Sequence, residues 1–307
     1  MARHVDVLFL GTGGAIPTRE RLTSCILVSD WSGTVMLLDA GEGCQLRLSR
    51  HGYSPTNIDI IVITHGHGDH VNGVPGLLQS MAVNKRRRPL RIYAPPSVAR
   101  FIIETLEATA TGERLGFPVE TIEIRGSDGQ PLWEKGGDKL VLEWFPTCHT
   151  RESHGYRLRW LLRPRIRVDT EPPDPDSWRS LSNKLKPEQS LLLVYTGDTA
   201  PCRAVLENSR GADLLIHEAT FAANMEKEAL ERLHSSSIHA AIIAKNAGVG
   251  LLVLTHISAR YSGFEARRLL LEARYIHSKA VLAYDGMKIR LLAPTREVLL
   301  SQILASP

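Results

Sequence analysis

The chain has 307 residues, a net charge of +4 at pH 7, 43% hydrophobic residues and 23% charged residues. This composition excludes a disordered or fibrous chain, and four cysteines (Cys25, Cys44, Cys148, Cys202) with no Cys-x-x-Cys pair exclude a disulfide-stapled miniprotein and a thiolate zinc ribbon. No run approaches ~18 apolar residues, so no membrane span is expected; no signal peptide is visible, and scattered cysteines point to a reducing compartment, the cytoplasm.

Short apolar runs predict strands over 5–10, 25–29, 35–38, 58–63, 90–93, 140–145, 191–195, 214–216, 251–254 and 281–284. Several are continuous and β-branched, as in strands covered on both faces. Helical spacing falls over 43–51, 74–83, 97–109, 237–246, 264–276 and 296–304; Ser237 can cap its helix and Gly248 can end it. The alternation predicts a layered α/β protein, a single domain over 1–307. The stretch over about 170–186, with Pro172, Pro173 and Pro175 and followed by Pro187, is read as a surface excursion rather than a linker.

Four apolar runs end in a potential metal ligand: His65, Asp198, the pair His217-Glu218, and His256. Sites in α/β sheets form at the carboxyl ends of strands, so these ends are expected to converge. The densest signal is Thr64-His-Gly-His-Gly-Asp-His70, three imidazoles and a carboxylate after a strand. That donor set suits Zn²⁺ or a similar borderline metal, with Gly66 and Gly68 expected to let the backbone bend around the ions. A dinucleotide reading of Gly11-Thr-Gly-Gly14 fails, because the third glycine of Gly-x-Gly-x-x-Gly would fall at Ile16. No Gly-x-Ser-x-Gly is present, so a serine triad has no support.

The His-x-His-x-Asp-His run resembles the signature of the metallo-β-lactamase superfamily, and the chain resembles its ribonuclease Z family from end to end. Phe9-Leu-Gly-Thr-Gly-Gly-Ala-Ile-Pro17, Thr196-Gly-Asp-Thr199, His217-Glu-Ala-Thr-Phe221, Thr255-His-Ile-Ser-Ala-Arg-Tyr261 and Ala283-Tyr-Asp-Gly286 each resemble a family motif. The resemblance implies a four-layer αβ/βα sandwich and two divalent metal ions, zinc first and manganese as the alternative. His65, His67 and His149 would bind one ion, with His154 as a rival to His149. Asp69, His70 and His256 would bind the other, and Asp198 would bridge them. It implies an endoribonuclease that trims 3′ extensions from precursor tRNA by hydroxide attack, leaving a 3′-hydroxyl on the tRNA and a 5′-phosphate on the trailer, and a homodimer. Two metals about 3.5–4 Å apart suit such a displacement. Asp69, Glu218 and His234 are the candidate catalytic residues: Asp69 as proton acceptor, and His234, charged beside Glu218, as the acid for the leaving oxygen. His217 is the rival acid, although neighbouring strand residues face opposite ways.

The candidate substrate-binding residues are Pro17, Arg19, Arg21, Arg163, Arg165, Arg167, Arg260 and Asp285. Two departures from the family stand out. Pro17-Thr-Arg-Glu-Arg-Leu22 differs from Pro-x-Lys-x-Arg-Asn, with Arg19 for lysine and Leu22 for asparagine, in the loop associated with sensing the tRNA end. Only 37 residues separate Arg157 from Tyr195, too few for the family's long tRNA-gripping arm. In its place, an excursion over about 157–190 begins with Arg157, Arg159, Arg163, Arg165 and Arg167, all of one parity. An extended chain would put them on one face, which would grip RNA or be merely solvated. The cluster Lys85-Arg-Arg-Arg88 can instead complement a helix dipole. The rivals are a small-molecule or cyclic-nucleotide phosphodiesterase, a thioester or sulfate-ester hydrolase, and an RNA-binding module with a relict site.

Overall fold

The computed structural model describes residues 3–109, 115–150, 152–163, 189–293 and 295–301. The strands among them, in chain order, are β1 (Arg3–Gly11), β2 (Gly13–Gly14), β3 (Cys25–Asp30), β4 (Val35–Leu38), β5 (Ile60–Val62), β6 (Leu90–Ala94), β7 (Val119–Glu123), β8 (Asp128–Lys135), β9 (Asp138–Pro146), β10 (His154–Leu162), β11 (Gln189–Tyr195), β12 (Leu214–Glu218), β13 (Leu251–Thr255), β14 (Ile257–Ser258), β15 (Ala280–Leu282), β16 (Lys288–Ala293) and β17 (Val298–Ser301). The α-helices are α1 (Cys44–Arg50), α2 (Gly68–Val71), α3 (Val74–Val83), α4 (Pro96–Ala108), α5 (Arg203–Asn208), α6 (Glu226–Glu231), α7 (Ser237–Ala247) and α8 (Gly263–Ile276).

Two sheets carry the fold. One has eight strands in the order β17-β16-β1-β3-β4-β5-β6-β7, the other seven in the order β15-β13-β12-β11-β10-β9-β8. The alternation of a strand explains the layering. Along β1, Val5, Val7 and Phe9 enter the core between the sheets, while Leu8 and Leu10 enter a second core beneath α1, α3 and α4. A third core packs α5, α7 and α8 on the outer face of the seven-stranded sheet. The result is the expected four-layer αβ/βα sandwich. The parallel strands β4, β5, β11, β12 and β13 lie side by side within their sheets. Their carboxyl ends supply the polar residues of one edge.

Several local expectations need correction. The segment read as a helix over 296–304 is edge strand β17, which pairs with β16; 302–304 lie outside the described residues. The segment pairs with the otherwise open edge of β16, and the Arg296 guanidinium ties the turn before it to Asp213 and to the Gly211 carbonyl. The cap of α7 is Ser236, not Ser237. Ser236 Oγ accepts from the His239 N–H while His239 Nδ1 accepts from the Ser236 N–H, both at 3.2 Å. Ser237 instead donates to Glu272 of α8 at 2.6 Å. Cys25 and Cys44 are joined as a disulfide across 19 residues, contrary to the expectation of reduced, scattered cysteines; Cys148 and Cys202 are free.

The arginine face also changes meaning. Leu158, Trp160 and Leu162 of β10 are buried between the sheets, as the parity predicted. Arg157 and Arg159 occupy the other face, but both are paired with Glu143 of β9, at 3.4 and 2.6 Å. These two guanidiniums brace a sheet. Arg163 is exposed at the end of β10, and Arg165, Arg167 and the proline-rich stretch lie outside the described residues. In the basic cluster, Arg86 is buried, donates to the Thr56, Arg88 and Pro89 carbonyls and stacks 5.5 Å above Phe117, so it closes a turn.

Candidate active site

Four strand ends supply the metal donors. After β5, Thr64 and His65 stay buried, and His67 caps the four-residue α2 that carries Asp69 and His70. After β9 comes His149, after β11 Asp198, and after β13 His256, at φ 55. Neither Gly66 nor Gly68 has a positive φ; a Cβ on Gly66 would make only ordinary contacts, while one on Gly68 would lie 2.6 Å from the Asn72 side chain. Close approach is needed one layer below. A Cβ on Gly41 would lie 2.3 Å from the Asp69 carbonyl, and one on Gly73 2.2 Å from the Gly41 carbonyl.

The predicted donors form two sets, and a third group of close donor atoms, Glu218, His234 and His256, adjoins them. His65, His67, His149 and Asp198 offer atoms all within 4.8 Å of one another, and so do Asp69, His70, Asp198 and His256. In the first set His67 Nδ1 lies 3.0 Å from His65 Nε2 and 3.1 Å from His149 Nε2. In the second, His256 Nε2 lies 3.1 Å from Asp69 Oδ2 and 3.3 Å from Asp198 Oδ1, while His70 Nε2 lies 3.4 Å from Asp198 Oδ2. Asp198 belongs to both. His154, the rival to His149, belongs to neither.

The buried imidazoles are aimed by their other nitrogen. His65 Nδ1 donates to Thr64 Oγ1 at 3.0 Å, His70 Nδ1 to Asp39 Oδ2 at 2.7 Å, His149 Nδ1 to the Leu233 carbonyl at 2.9 Å and His256 Nδ1 to Thr220 Oγ1 at 2.8 Å. Each Nε2 lone pair is thereby turned inward, the arrangement in which histidine ligates a metal. His70 Nε2 and Asp198 Oδ1 have no hydrogen-bond partner. Buried polar atoms without partners are rare, and a cation between the sets would satisfy them. The donor chemistry therefore fits divalent ions.

The electrostatics agree. Burial opposes charge throughout, yet the carboxylates of Asp198 and Asp39 raise His70 well above its ordinary pKa, and Asp198 also raises His256. Burial likewise opposes ionising Asp198 and Asp69, but the surrounding imidazoles hold both below the usual carboxylate range. The carboxylates thus favour the charged form of His70 and His256, whereas burial pushes His65 well below and His149 below the ordinary value; metal binding releases protons held on ligands.

Beside the donor sets stands a carboxylate–imidazole pair. Glu218 Oε1 accepts from His234 Nδ1 at 2.8 Å and from the Thr199 N–H at 2.7 Å, and Oε2 accepts from Thr220 Oγ1 at 2.6 Å. Burial disfavours the charged ring, but Glu218 overrides it and raises His234 to about 9. Leu233, held at φ 57, supplies the carbonyl that aims His149, so one strained residue sets both neighbouring rings. His217 is fully buried, with its Nδ1 2.8 Å from the Glu218 carbonyl, and shares the parity of Leu215, which packs under the helices on the outer face of the sheet. A cavity of about 430 Å³ joins these parts; its walls include Ala15, Glu42, His67, Asp69, Asn72, Asp198, His234 and His256.

The family model described as "Beta-lactamase superfamily domain" matches residues 34–257. A ribonuclease Z of Aeropyrum pernix is 44% identical to the chain, over 93% of the chain and 98% of the relative. The chain belongs to the ribonuclease Z family. A ribonuclease Z of Methanosarcina acetivorans is 35% identical, covering 93% of the chain and 97% of that relative. The solved structure of the human tRNase Z short form is 28% identical, with a TM-score of 0.68, covering 92% of the chain and 98% of that structure. As a ribonuclease Z family member the chain is a phosphodiester hydrolase, and its fold is the metallo-β-lactamase sandwich.

The predicted substrate residues of this ribonuclease Z family chain separate into two groups. Pro17 and Arg19 are exposed on the loop above the cavity, and Arg19 lines a neighbouring groove with Ser258 and Tyr261. Arg260 lies 5.1 Å above the Phe221 ring and 3.6 Å from Glu228, with its side chain 39% exposed. Arg21 and Asp285 are different. Arg21 is buried and donates to Thr12 Oγ1 and the Ala283 carbonyl, both at 2.6 Å, and the Asp285 carboxylate is only 2% exposed. Neither lines that cavity, although Arg21 shares the neighbouring groove with Arg19, and both are tied into a tertiary network. Sequence reasoning also missed Asp39, Thr220 and Tyr195, whose hydroxyl donates to Asp39 at 2.6 Å. Asp39 was findable, since it directly follows β4 much as His65 follows β5.

Proposed function

We propose that the chain is an endoribonuclease that removes 3′ extensions from precursor tRNA, leaving a 3′-hydroxyl on the tRNA and a 5′-phosphate on the trailer. The observation that carries this reading is the pair of donor sets sharing Asp198, next to an imidazole charged by a buried glutamate. His65, His67, His149 and Asp198 would hold one divalent ion, and Asp69, His70, His256 and Asp198 a second, zinc or manganese. When bound, such a pair supplies Lewis-acid stabilisation of the phosphate and acidifies water near neutral pH.

The protein's own groups complete the reaction. Asp69 takes the proton given up by the attacking water. His234, fixed on Glu218 through Nδ1, keeps Nε2 as its free donor and protonates the departing ribose O3′, an oxygen too basic to leave unaided. Glu218 carries the negative charge that keeps the ring protonated. Thr220 couples the two functions, accepting from His256 and donating to Glu218. Pro17, Arg19, Arg163 and Arg260 would meet the RNA, and so would Arg165 and Arg167, which lie outside the described residues. The chain would act in the cytoplasm as a homodimer.

The test is direct. Purified protein with Zn²⁺ or Mn²⁺ is given a 3′-extended tRNA precursor, and both product ends are mapped. A 3′-hydroxyl at the tRNA end and a 5′-phosphate on the trailer are expected. Cleavage of bis-para-nitrophenyl phosphate with no precursor cleavage would instead favour a small-diester phosphodiesterase.

A further inference from the structure

Asp285 is a nearly buried carboxylate that the reaction above does not use. Its Oδ1 accepts from Thr12 Oγ1 and its Oδ2 from the Leu22 N–H, both at 2.7 Å, and Arg47 of α1 approaches Oδ2 at 3.2 Å. Thr12 Oγ1 also accepts from Arg21, which is bonded to the Ala283 carbonyl. These groups anchor both ends of one strap, residues 12–22.

The middle of that strap leans on the second donor set. The Ala15 N–H donates to Asp69 Oδ2 at 2.7 Å, the same oxygen that His256 Nε2 meets at 3.1 Å. A Cβ on Gly14 would lie 2.6 Å from the His256 ring, so the ring rests against bare backbone. Gly13 and Gly14 pair with Ile257 and Ser258, directly after His256, and the Ile257 N–H donates to the Thr12 carbonyl at 2.9 Å. Ala15 sits at φ 63. A residue with a Cβ stays in that region only where its surroundings enforce it, and the Asp285 network supplies the enforcement at both ends of the strap.

We propose that Asp285 is a positioning residue for the second donor set: through Thr12, Leu22 and Arg21 it holds the strap in the conformation that fixes Asp69 and His256. The proposal rests on the reading that this set holds an ion. No contact of Asp285 with RNA is required.

The experiment measures Zn²⁺ by chelator competition in the wild type, Asp285→Asn and Thr12→Val, the last deleting the hydroxyl between Asp285 and Arg21 at nearly constant volume. Thermal unfolding in excess chelator reports the metal-free fold separately. Expected are two ions in the wild type, a roughly 10–100-fold loss of affinity for one of them in both variants, near-wild-type unfolding in chelator, and cleavage restored by added Zn²⁺. Unchanged affinity for both ions overturns the proposal. So does equal weakening of both, or unfolding of both variants in chelator, which would make the network a plain fold element. A rise in KM for precursor tRNA with zinc binding intact would return Asp285 to substrate contact and overturns it too. A wild type that binds no zinc overturns the metal-centre reading itself, and this proposal with it.

Discussion

The two donor sets share Asp198 but are held differently. In the second set every donor but the shared Asp198 has an external support: Asp39 for His70, Thr220 for His256 and the Ala15 N–H for Asp69. In the first, His65 and His149 are supported in the same way, but His67 is exposed, and its Nδ1 meets only the neighbouring imidazoles. A ligand that must be ordered when the ion arrives costs more than one already ordered. The second set is therefore the better organised of the two, and an ion there should be released last on chelation.

Asp198→Ala tests what the sets have in common. It removes a donor from both and should leave no tightly held ion and no measurable precursor cleavage. Retention of one full-affinity ion would mean that the two sets are independent. His67→Ala acts on the weaker side only. Metal analysis should show one ion lost and one kept, with cleavage abolished because a single ion cannot serve both oxygens of the displacement. If the kept ion also weakens, the sets are coupled through Asp198 more strongly than their supports imply.

His234 lies between the sets, its ring 4.8 Å from His149 and 5.6 Å from His256. His234→Ala should lower precursor cleavage about 10²–10⁴-fold while leaving the ion count at two. The loss should be far smaller on a para-nitrophenyl diester, whose leaving group needs no proton. An equal loss on both substrates would make the ring a structural prop of the cavity. The smallest effect is expected at Asp39→Asn, about 10–100-fold in metal affinity or activity. It should fall on the second set, and added Zn²⁺ should recover it. A loss at the first set instead would overturn the assignment of Asp39 to His70.

Much of the site was legible because a strand ending in a ligand is a local pattern. His65, His67, Asp69 and His70 come from one seven-residue run, and Asp198, Glu218 and His256 each close an apolar strand. The α/β layering was legible in the alternation of strand and helix patterns, whereas the four-layer arrangement came with the family resemblance; the alternation of β1 between two cores shows why it holds. The rim was harder. A charged residue reads the same in sequence whether it faces solvent, RNA or another charge, so Arg21, Arg157, Arg159 and Asp285 could not be separated from Arg19 and Arg260.

The sequence by itself determined the α/β layering, the inventory of donors and their delivery at carboxyl ends of strands, because periodicity and spacing are properties of the chain. Only the tertiary structure decided which histidines share an oxygen, which carboxylates are buried and which arginines are already paired. His149 meets His67 across 82 residues, and Arg21 meets Ala283 across 262. Such partners are set by how the sheets and their loops pack. Burial and pairing depend on everything around a group, and no stretch of chain carries that information alone.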